Sequence, residues 1–352
     1  MHPGRIVVAV SALISIASAC ASDAVLLASR RGGWIEAFDL ETLRTVSRIR
    51  VPEMTETVAS DPQGKRLFLT APTEYSKGCC ALFAFDPQSL QLSFLVKPSL
   101  SATITPSGVF TQRGNVGIEV FDLLSLKRLP TIHAPGVYRF EASSDGRRLF
   151  GLSNFPHPSL DLFDAVQGSL IASQSLPDGS KSAGAWLDQQ FFLFTLQSGQ
   201  AMLRPISPNG QTGPVATLSV SSSFPDCVET PYAMIASAGK LILYPSFGGK
   251  GDSNCQGPGG FAIADPGTGL VLDRFDSSRF RQIVASPDGR YLYGLEVGMP
   301  AWRRRVQILK MDATGRVIGQ RDLDPDVWYL IAGRIPQQLL GQMDLSASPA
   351  KP

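Results

Sequence analysis

The sequence is poor in the residues on which many enzyme sites depend. It has three histidines in 352 residues, and only His133 and His157 lie beyond the N-terminal segment. No C-x-x-C, H-x-x-x-H or C-x-x-C-H spacing occurs, so no metal site and no attached haem are predicted. A G-x-S-x-G nucleophile turn and a phosphate-binding glycine loop are also missing. We therefore expect no cofactor and no catalytic residue, and the sequence favours a protein that is not an enzyme.

Excess charge and long apolar segments are also missing. The formal net charge is +2, which is too small to indicate a nucleic-acid partner. Beyond the first 21 residues there is no apolar run long enough to span a bilayer, so the mature chain is not expected to be transmembrane. Gly (33) and Pro (26) are abundant, as is typical of many short strands joined by tight turns.

The N-terminal segment has the pattern of an export signal. Arg5 precedes an apolar run at 6–16, and small residues follow with A-x-A cleavage sites after Ala19 and after Ala21. The same stretch resembles a lipoprotein signal (1–19) that ends at Cys20, although Ala17 replaces the usual leucine of that motif. We expect a signal peptide over 1–21 and a periplasmic or extracellular protein, either free or anchored through a lipidated Cys20.

Besides Cys20 there are four cysteines, and export to an oxidising compartment makes them disulfide candidates. A cut after Ala19 without lipidation would leave Cys20 as an odd fifth thiol. Cys227 lies just before the innermost strand of one predicted blade, and Cys255 lies in the loop between the second and third strands of the same blade. A bond between them would close a glycine-rich insertion. This pairing leaves Cys79 and Cys80 to bond with each other. The other two pairings would link different blades. We interpret these cysteines as structural rather than redox-active.

Two sequence patterns alternate along the chain. The first is a strand, a turn that usually contains glycine, and a second strand, as in TVASDPQGKRLFLT (57–70), FEASSDGRRLFGLS (140–153) and IVASPDGRYLYGLE (283–296). Weaker copies are GAWLDQQFFLFT (184–195), which has no glycine, and YLIAGRIPQQLLG (329–341), whose glycine is displaced. Glycine suits these turns because it accepts a positive φ.

The second pattern is an apolar strand that ends in aspartate before a short turn. The aspartate can accept a hydrogen bond from a backbone N–H two residues on, so we interpret it as a turn former and not as a catalytic acid. Successive anchors lie 36 to 58 residues apart. The anchors are Asp39, Asp86, Asp122, Asp164, Ser207, Asp265 and Asp312.

Seven copies of each pattern, with four short strands per unit, predict an all-β, seven-bladed β-propeller of four-stranded antiparallel blades over 24–344. Both chain ends would contribute strands to one composite blade that closes the ring. Two segments, VLLASR (25–30) and QLLGQM (338–343), compete for its second strand. The tail 345–352 is expected to be disordered, and the protein is expected to be a monomer.

The segments SPDGRYLYGLE (286–296) and SSDGRRLFGLS (143–153) resemble the repeats of YVTN-type seven-bladed propellers. These belong to the WD40-like, methylamine-dehydrogenase heavy-subunit-like superfamily. The resemblance covers essentially the whole mature chain, but its motifs are structural. It implies the fold and leaves a wide range of functions, including redox subunits, lactonases, surface-layer proteins and binding proteins.

The long loops fall on one face of the predicted propeller, at 71–80, 244–259 and 297–304, together with all four mature cysteines. Residues near the starts of the innermost strands would ring the axial mouth on this face and would suit a small polar or anionic ligand. A basic, aromatic loop edge could contact an acidic partner. The axial residues are Glu56, Arg139, Tyr232, Arg281 and Trp328, and the loop-edge residues are Trp302, Arg303, Arg304 and Arg305.

These features predict an exported, non-enzymatic β-propeller of the bacterial cell envelope that binds a ligand or an envelope protein. One alternative is a lactonase- or hydrolase-like enzyme with its site in the axial channel. The other is the propeller subunit of a periplasmic dehydrogenase complex, with the cofactor on a partner chain.

Overall fold

A computed structural model gives the fold of the chain and describes the following residues: 22–30, 32–51, 55–71, 81–89, 91–97, 99, 102–113, 116–153, 157–197, 200–218, 232–245, 261–275, 280–297 and 305–336. Within these ranges the chain forms strands, turns and connecting segments, with no helix. The strands make seven four-stranded antiparallel sheets, which are the blades of a β-propeller. The predicted fold class is therefore confirmed.

The first three blades follow one another along the chain. Blade 1 contains β4 (Glu56–Ser60), β5 (Leu67–Ala71), β6 (Ala81–Asp86) and β7 (Gln91–Val96). Blade 2 contains β8 (Ala102–Thr105), β9 (Gly108–Arg113), β10 (Gly117–Phe121) and β11 (Arg128–Ile132). Blade 3 contains β12 (Val137–Ala142), β13 (Arg148–Ser153), β14 (Ser159–Asp164) and β15 (Ser169–Ser175).

Blades 4 to 6 repeat this order. Blade 4 contains β16 (Lys181–Leu187), β17 (Gln190–Gln197), β18 (Gln200–Ile206) and β19 (Ala216–Leu218). Blade 5 contains β20 (Tyr232–Ser237), β21 (Lys240–Pro245), β22 (Phe261–Ala264) and β23 (Val271–Phe275). Blade 6 contains β24 (Phe280–Ala285), β25 (Tyr291–Val297), β26 (Val306–Asp312) and β27 (Val317–Leu323).

Blade 7 combines the two ends of the chain in the order β28-β1-β2-β3. Its strands are β28 (Val327–Pro336), β1 (Ser22–Arg30), β2 (Trp34–Asp39) and β3 (Thr45–Arg50). Leu27 of β1 lies opposite Ile331 of β28 on one side and Ala37 of β2 on the other. The second position therefore belongs to the segment that contains VLLASR. The QLLGQM segment lies outside the described residues.

One local expectation was wrong. The segment 329–341 is not a strand–turn–strand copy of the first pattern, because β28 runs unbroken for ten residues to Pro336. Its partner comes from the other end of the chain, so no turn is needed at the position of the displaced glycine. Blade 4 follows the prediction, since β16 and β17 pair across a tight turn at Asp188 and Gln189 even though no glycine is present.

The anchor aspartates act as turn formers. The Asp122 carboxylate accepts hydrogen bonds from the Ser125 N–H and hydroxyl, and these bonds hold its pKa below the usual range. In blade 5 the Lys240 ammonium, together with the Thr268 N–H and hydroxyl, lowers the pKa of Asp265 to about 2. The remaining anchor, Ser207, accepts a hydrogen bond from the Gln211 N–H at 3.0 Å in the same role.

Apolar side chains fill each seam between neighbouring blades. Among the described residues there are seven buried clusters, and each joins one blade to the next around the ring. In the seam of blades 3 and 4, Phe150 stacks on Phe191 with 4.2 Å between ring centroids. Gly184 makes room for this ring, since a Cβ there would lie 2.1 Å from the Phe191 Cζ. Blade 7 packs on both blade 6 and blade 1, so the ring is closed.

We expect Leu330→Ala to destabilise the whole propeller, because Leu330 on β28 is fully buried against blade 6. Truncation of a fully buried leucine leaves a cavity and costs about 3 kcal/mol. Urea unfolding followed by circular dichroism measures this loss. The matched control is Leu170→Ala on β15, where the side chain is 57% exposed and the free energy of unfolding should change by less than about 0.5 kcal/mol. Equal effects of the two substitutions would contradict closure of the ring at β28.

Candidate functional site

The five residues predicted for the axial mouth all lie on innermost strands. Glu56 and Tyr232 begin β4 and β20, Arg281 and Trp328 are second in β24 and β28, and Arg139 is third in β12. These strands run beside the axis, because each forms the inner edge of its blade. Of the five side chains, only that of Arg139 lies within the part of the chain whose side chains are described.

Arg139 forms an ion pair on its own strand. Its guanidinium lies 3.5 Å from the Glu141 carboxylate, and the two side chains are 25% and 34% exposed. Residues two apart in a strand point to the same side of the sheet, so the pair shares one face of β12. An innermost strand has a blade on either side, so solvent reaches it from the axis or from its ends. The pair therefore places one charge of each sign beside the axis.

The surroundings of Glu141 are mostly uncharged. Phe150 of β13 lies opposite it, and the Trp186 indole of blade 4 donates a hydrogen bond to its backbone carbonyl at 3.3 Å. Burial raises the pKa of the Glu141 carboxyl, and the positive charge of Arg139 opposes this rise. Burial also raises the pKa of the neighbouring Tyr138 hydroxyl. The environment of Glu141 thus favours its neutral form more than open water does.

A partly buried pair of arginine and glutamate suits the recognition of an anionic group. The guanidinium stays charged at any physiological pH and presents a planar set of donors to carboxylate or phosphate oxygens. Glu141 limits this attraction, because its carboxylate already neutralises part of the charge. Sequence reasoning identified Arg139 and missed Glu141. The signal was the spacing of two residues on one predicted strand, which places both side chains on the same face.

The predicted basic loop edge is described only at its last residue. Arg305 is exposed, and its guanidinium lies 2.9 Å from the Asp322 carboxylate of the same blade. Trp302, Arg303 and Arg304 lie outside the described residues. The ion pair of Arg305 links the start of β26 to β27 at a solvated edge.

Several other predictions concern residues outside the described ranges. Cys20, Cys79, Cys80, Cys227 and Cys255 all lie there, so the two disulfides and lipidation stay predictions. Within the described ranges, no group of three histidine, cysteine, aspartate or glutamate residues is arranged to hold a metal. In those same ranges, no helix has the length and apolar character needed to cross a membrane.

Two buried ion clusters were not foreseen from the sequence. The Glu119 carboxylate of β10 is 1% exposed and lies 2.7 Å and 2.6 Å from the guanidinium groups of Arg113 and Arg128. Glu36 of β2 has the same position in blade 7, where it lies 2.6 Å from Arg48. Each glutamate is third in its strand and bridges the strands on either side. The repeated I-E motif before the anchor aspartate, in WIEAFD and GIEVFD, is the sequence feature that could have predicted the two clusters.

The comparisons with known proteins identify the fold class and no closer relationship. No protein-family model matches the chain, and no curated protein matches it either. The solved structures that share its architecture include NirN, BamB and the designed Ika8 protein. The structure of dihydro-heme d1 dehydrogenase NirN in complex with DHE is 17% identical, with a TM-score of 0.53 and 87% of this chain covered. The chain spans 65% of the length of that NirN chain.

BamB from Moraxella catarrhalis is 15% identical, with a TM-score of 0.52 and coverage of 84% of this chain and 85% of that one. The computationally designed Ika8 protein is 12% identical, with a TM-score of 0.55 and coverage of 89% and 91%. At these identities the likeness concerns the fold alone. The chain is a β-propeller in the same structural class as these proteins.

We expect Arg139→Ala to change the pH dependence of stability. A raised carboxyl pKa contributes stability that is present below the unfolded-state pKa and is lost as pH rises through the folded-state pKa. Arg139 opposes the rise, so its removal should cost more stability at about pH 7 than at about pH 4. Thermal unfolding at both pH values measures the difference. The control Arg305→Ala, at an exposed pair, should change stability equally little at both. A loss for Arg139→Ala that does not depend on pH would contradict this account of Glu141.

Proposed function

We propose that the protein is an exported, non-enzymatic binding propeller of the bacterial cell envelope, which holds a small polar or anionic ligand, or an acidic group of an envelope protein, at its axial channel. The observation that carries this proposal is the half-buried pair of Arg139 and Glu141 on an innermost strand. A guanidinium beside an aqueous channel, with uncharged aromatic neighbours, attracts anions more strongly than one on an open surface.

The pair favours binding over catalysis. Arginine does not exchange its proton at neutral pH, so Arg139 cannot act as a general acid or base. Glu141 is engaged by Arg139, and its half-exposed carboxyl serves to tune the charge that a ligand meets. The NirN structure is of a complex with DHE and has the same fold class, which supports ligand binding as a use of this scaffold. That support is at the level of fold alone.

Export is the second element of the proposal. It rests on the basic start, the apolar run at 6–16 and the small residues that precede β1. The first strand begins at Ser22, directly after the two candidate cleavage sites. A mature chain that starts at any of these sites keeps the whole of β1, which the closing blade requires.

The proposed site predicts anion binding that strengthens as pH falls. Protonation of Glu141 removes the charge that competes for Arg139, so sulfate, whose own charge is the same at both pH values, should bind more tightly at about pH 5 than at about pH 7. Glu141→Gln should bind succinate up to about tenfold more tightly than the wild type at about pH 7. Isothermal titration calorimetry measures both effects, with sulfate for the pH comparison and succinate for the variant at about pH 7, where both succinate carboxyl groups are ionised.

Arg139→Gln should abolish binding, and Arg305→Gln should leave it unchanged because Arg305 lies at a separate, exposed pair. Binding of sulfate and succinate that survives in Arg139→Gln would place the site elsewhere. Identical affinities for the wild type and Glu141→Gln would show that Glu141 does not tune this site.

Export has its own measurement. When the full chain is produced in a Gram-negative host, the mature protein should be found in the periplasmic or membrane fraction, and intact-mass spectrometry should show a start at residue 20 or 22. A diacylglycerol-modified Cys20 adds lipid mass, and Cys20→Ala would release that form from the membrane. A full-length, unprocessed chain in the cytoplasm would contradict export while leaving the anion test unaffected.

A further inference from the structure

Side-chain donors tie neighbouring blades together at one end of the propeller. This end, here called the turn face, carries the turns between first and second strands and those between third and fourth strands. In the seam of blades 1 and 2, the Arg66 guanidinium donates to the backbone carbonyls of Leu123 and Leu124 at 2.8 Å and 2.9 Å. In the seam of blades 3 and 4, the Arg148 guanidinium donates to the Pro208 carbonyl at 3.2 Å.

The seam of blades 6 and 7 has the same arrangement with different donors. The Tyr293 hydroxyl donates to the Leu40 carbonyl, and the Lys310 ammonium donates to the Glu41 carbonyl, both at 2.9 Å. In all three seams the acceptors are the first or second residue after the anchor of the next blade. The backbone carbonyls at these turn positions are therefore acceptor sites for a positively charged or hydroxyl donor from the preceding blade.

In the seam of blades 4 and 5 the acceptor turn is present, but the position that holds arginine in blade 3 holds a different residue. The corresponding turn positions after Asp265 are Pro266 and Gly267. Gln190 begins β17, as Arg148 begins β13, so an uncharged and shorter side chain occupies the place of the arginine. An open groove of about 600 Å³ lies between Gln190 and the turn at Pro266 and Gly267. Its lining residues are Leu187, Asp188, Gln189, Gln190, Phe192, Pro205, Ser207, Pro208, Pro266 and Gly267.

The lining of this groove has a defined chemistry. Pro205, Pro208 and Pro266 supply rigid apolar walls, and Leu187 and Phe192 add further apolar surface. Asp188 is exposed and is the one charged residue of the lining, which has no lysine or arginine. Apolar walls suit the aliphatic stem of a long side chain, and a carboxylate beside carbonyl oxygens suits its positive end.

We propose that the groove between blades 4 and 5 binds an arginine side chain of a protein partner, which supplies in trans the guanidinium that Arg66 and Arg148 supply in their own seams. The partner segment is an extended peptide in which the arginine has apolar neighbours. This interaction lies on the turn face and is independent of the axial pair, so it goes beyond the proposed anion-binding function.

A peptide series tests the ligand chemistry. The probe is acetyl-Ala-Leu-Arg-Leu-Ala-amide, compared with peptides in which lysine, citrulline or norleucine replaces the arginine. The arginine peptide should bind most tightly, and the citrulline peptide should bind at least about tenfold more weakly because it keeps the shape and loses the charge. Isothermal titration calorimetry on the full mature chain measures the affinities, with ¹⁹F-labelled peptide as a second readout.

Variants test the location. Gln190→Arg should fill the groove in cis, abolish peptide binding and leave the fold intact or slightly more stable. Asp188→Asn should weaken binding about threefold, as expected for an exposed charge. The matched control is Gln63→Arg, an exposed position in the equivalent turn of blade 1, where Arg66 already spans the seam. It should bind the peptide as the wild type does.

The contrary results are equally specific. No measurable binding of the arginine peptide, or equal binding of the citrulline or norleucine peptide, overturns the proposal. Binding that persists in Gln190→Arg, when circular dichroism shows that variant to be folded, also overturns it. Because Arg139→Gln leaves the turn face unchanged, it should bind the peptide normally, so failure here and failure of the axial anion site are distinguishable.

Discussion

The packing of apolar side chains in the seams between blades is the interaction on which the whole molecule depends. Each blade has apolar residues on both faces, as in β17, where Phe191 belongs to the cluster shared with blade 3 and Phe192 to the cluster shared with blade 5. No blade can bury both faces alone, so each requires two neighbours. A ring satisfies this requirement for every blade, and the composite blade makes it possible by joining β28 to β1.

This packing requirement also explains which parts of the repeat differ among the seven blades. The strands must keep their apolar pattern, whereas the turns need only to reverse the chain and avoid collision. The anchor aspartates therefore serve local geometry, and their lowered pKa values reflect hydrogen bonds inside the turns and, for Asp265, the Lys240 ammonium of the neighbouring strand. Blade 4 departs from both sequence patterns, with Asp188 and Gln189 in place of a glycine turn and Ser207 in place of the aspartate. The groove of the turn face lies at this departure.

The charged residues inside the blades and those on the innermost strand differ in their burial and in how closely they are paired. Glu36 and Glu119 are buried within blades and are neutralised by arginines from adjacent strands, so they stabilise the fold and are closed to ligands. Arg139 and Glu141 form a looser pair at 3.5 Å on an innermost strand, and their side chains are 25% and 34% exposed. We propose that the same two residue types serve structure in one place and recognition in the other, depending on access to solvent.

The sequence by itself determined the repeat, the number of blades, the turn role of the anchors and the joining of both chain ends. These features depend on local periodicity and on side chains that act within a few residues. The tertiary structure alone decided that β1 takes the second position of blade 7, that Glu141 pairs with Arg139, and that the carbonyls of Leu123 and Pro208 receive arginines from the preceding blade. Such contacts join residues far apart in the chain. Pairing partners, burial and the reach of a side chain across a seam exist only after the ring has closed.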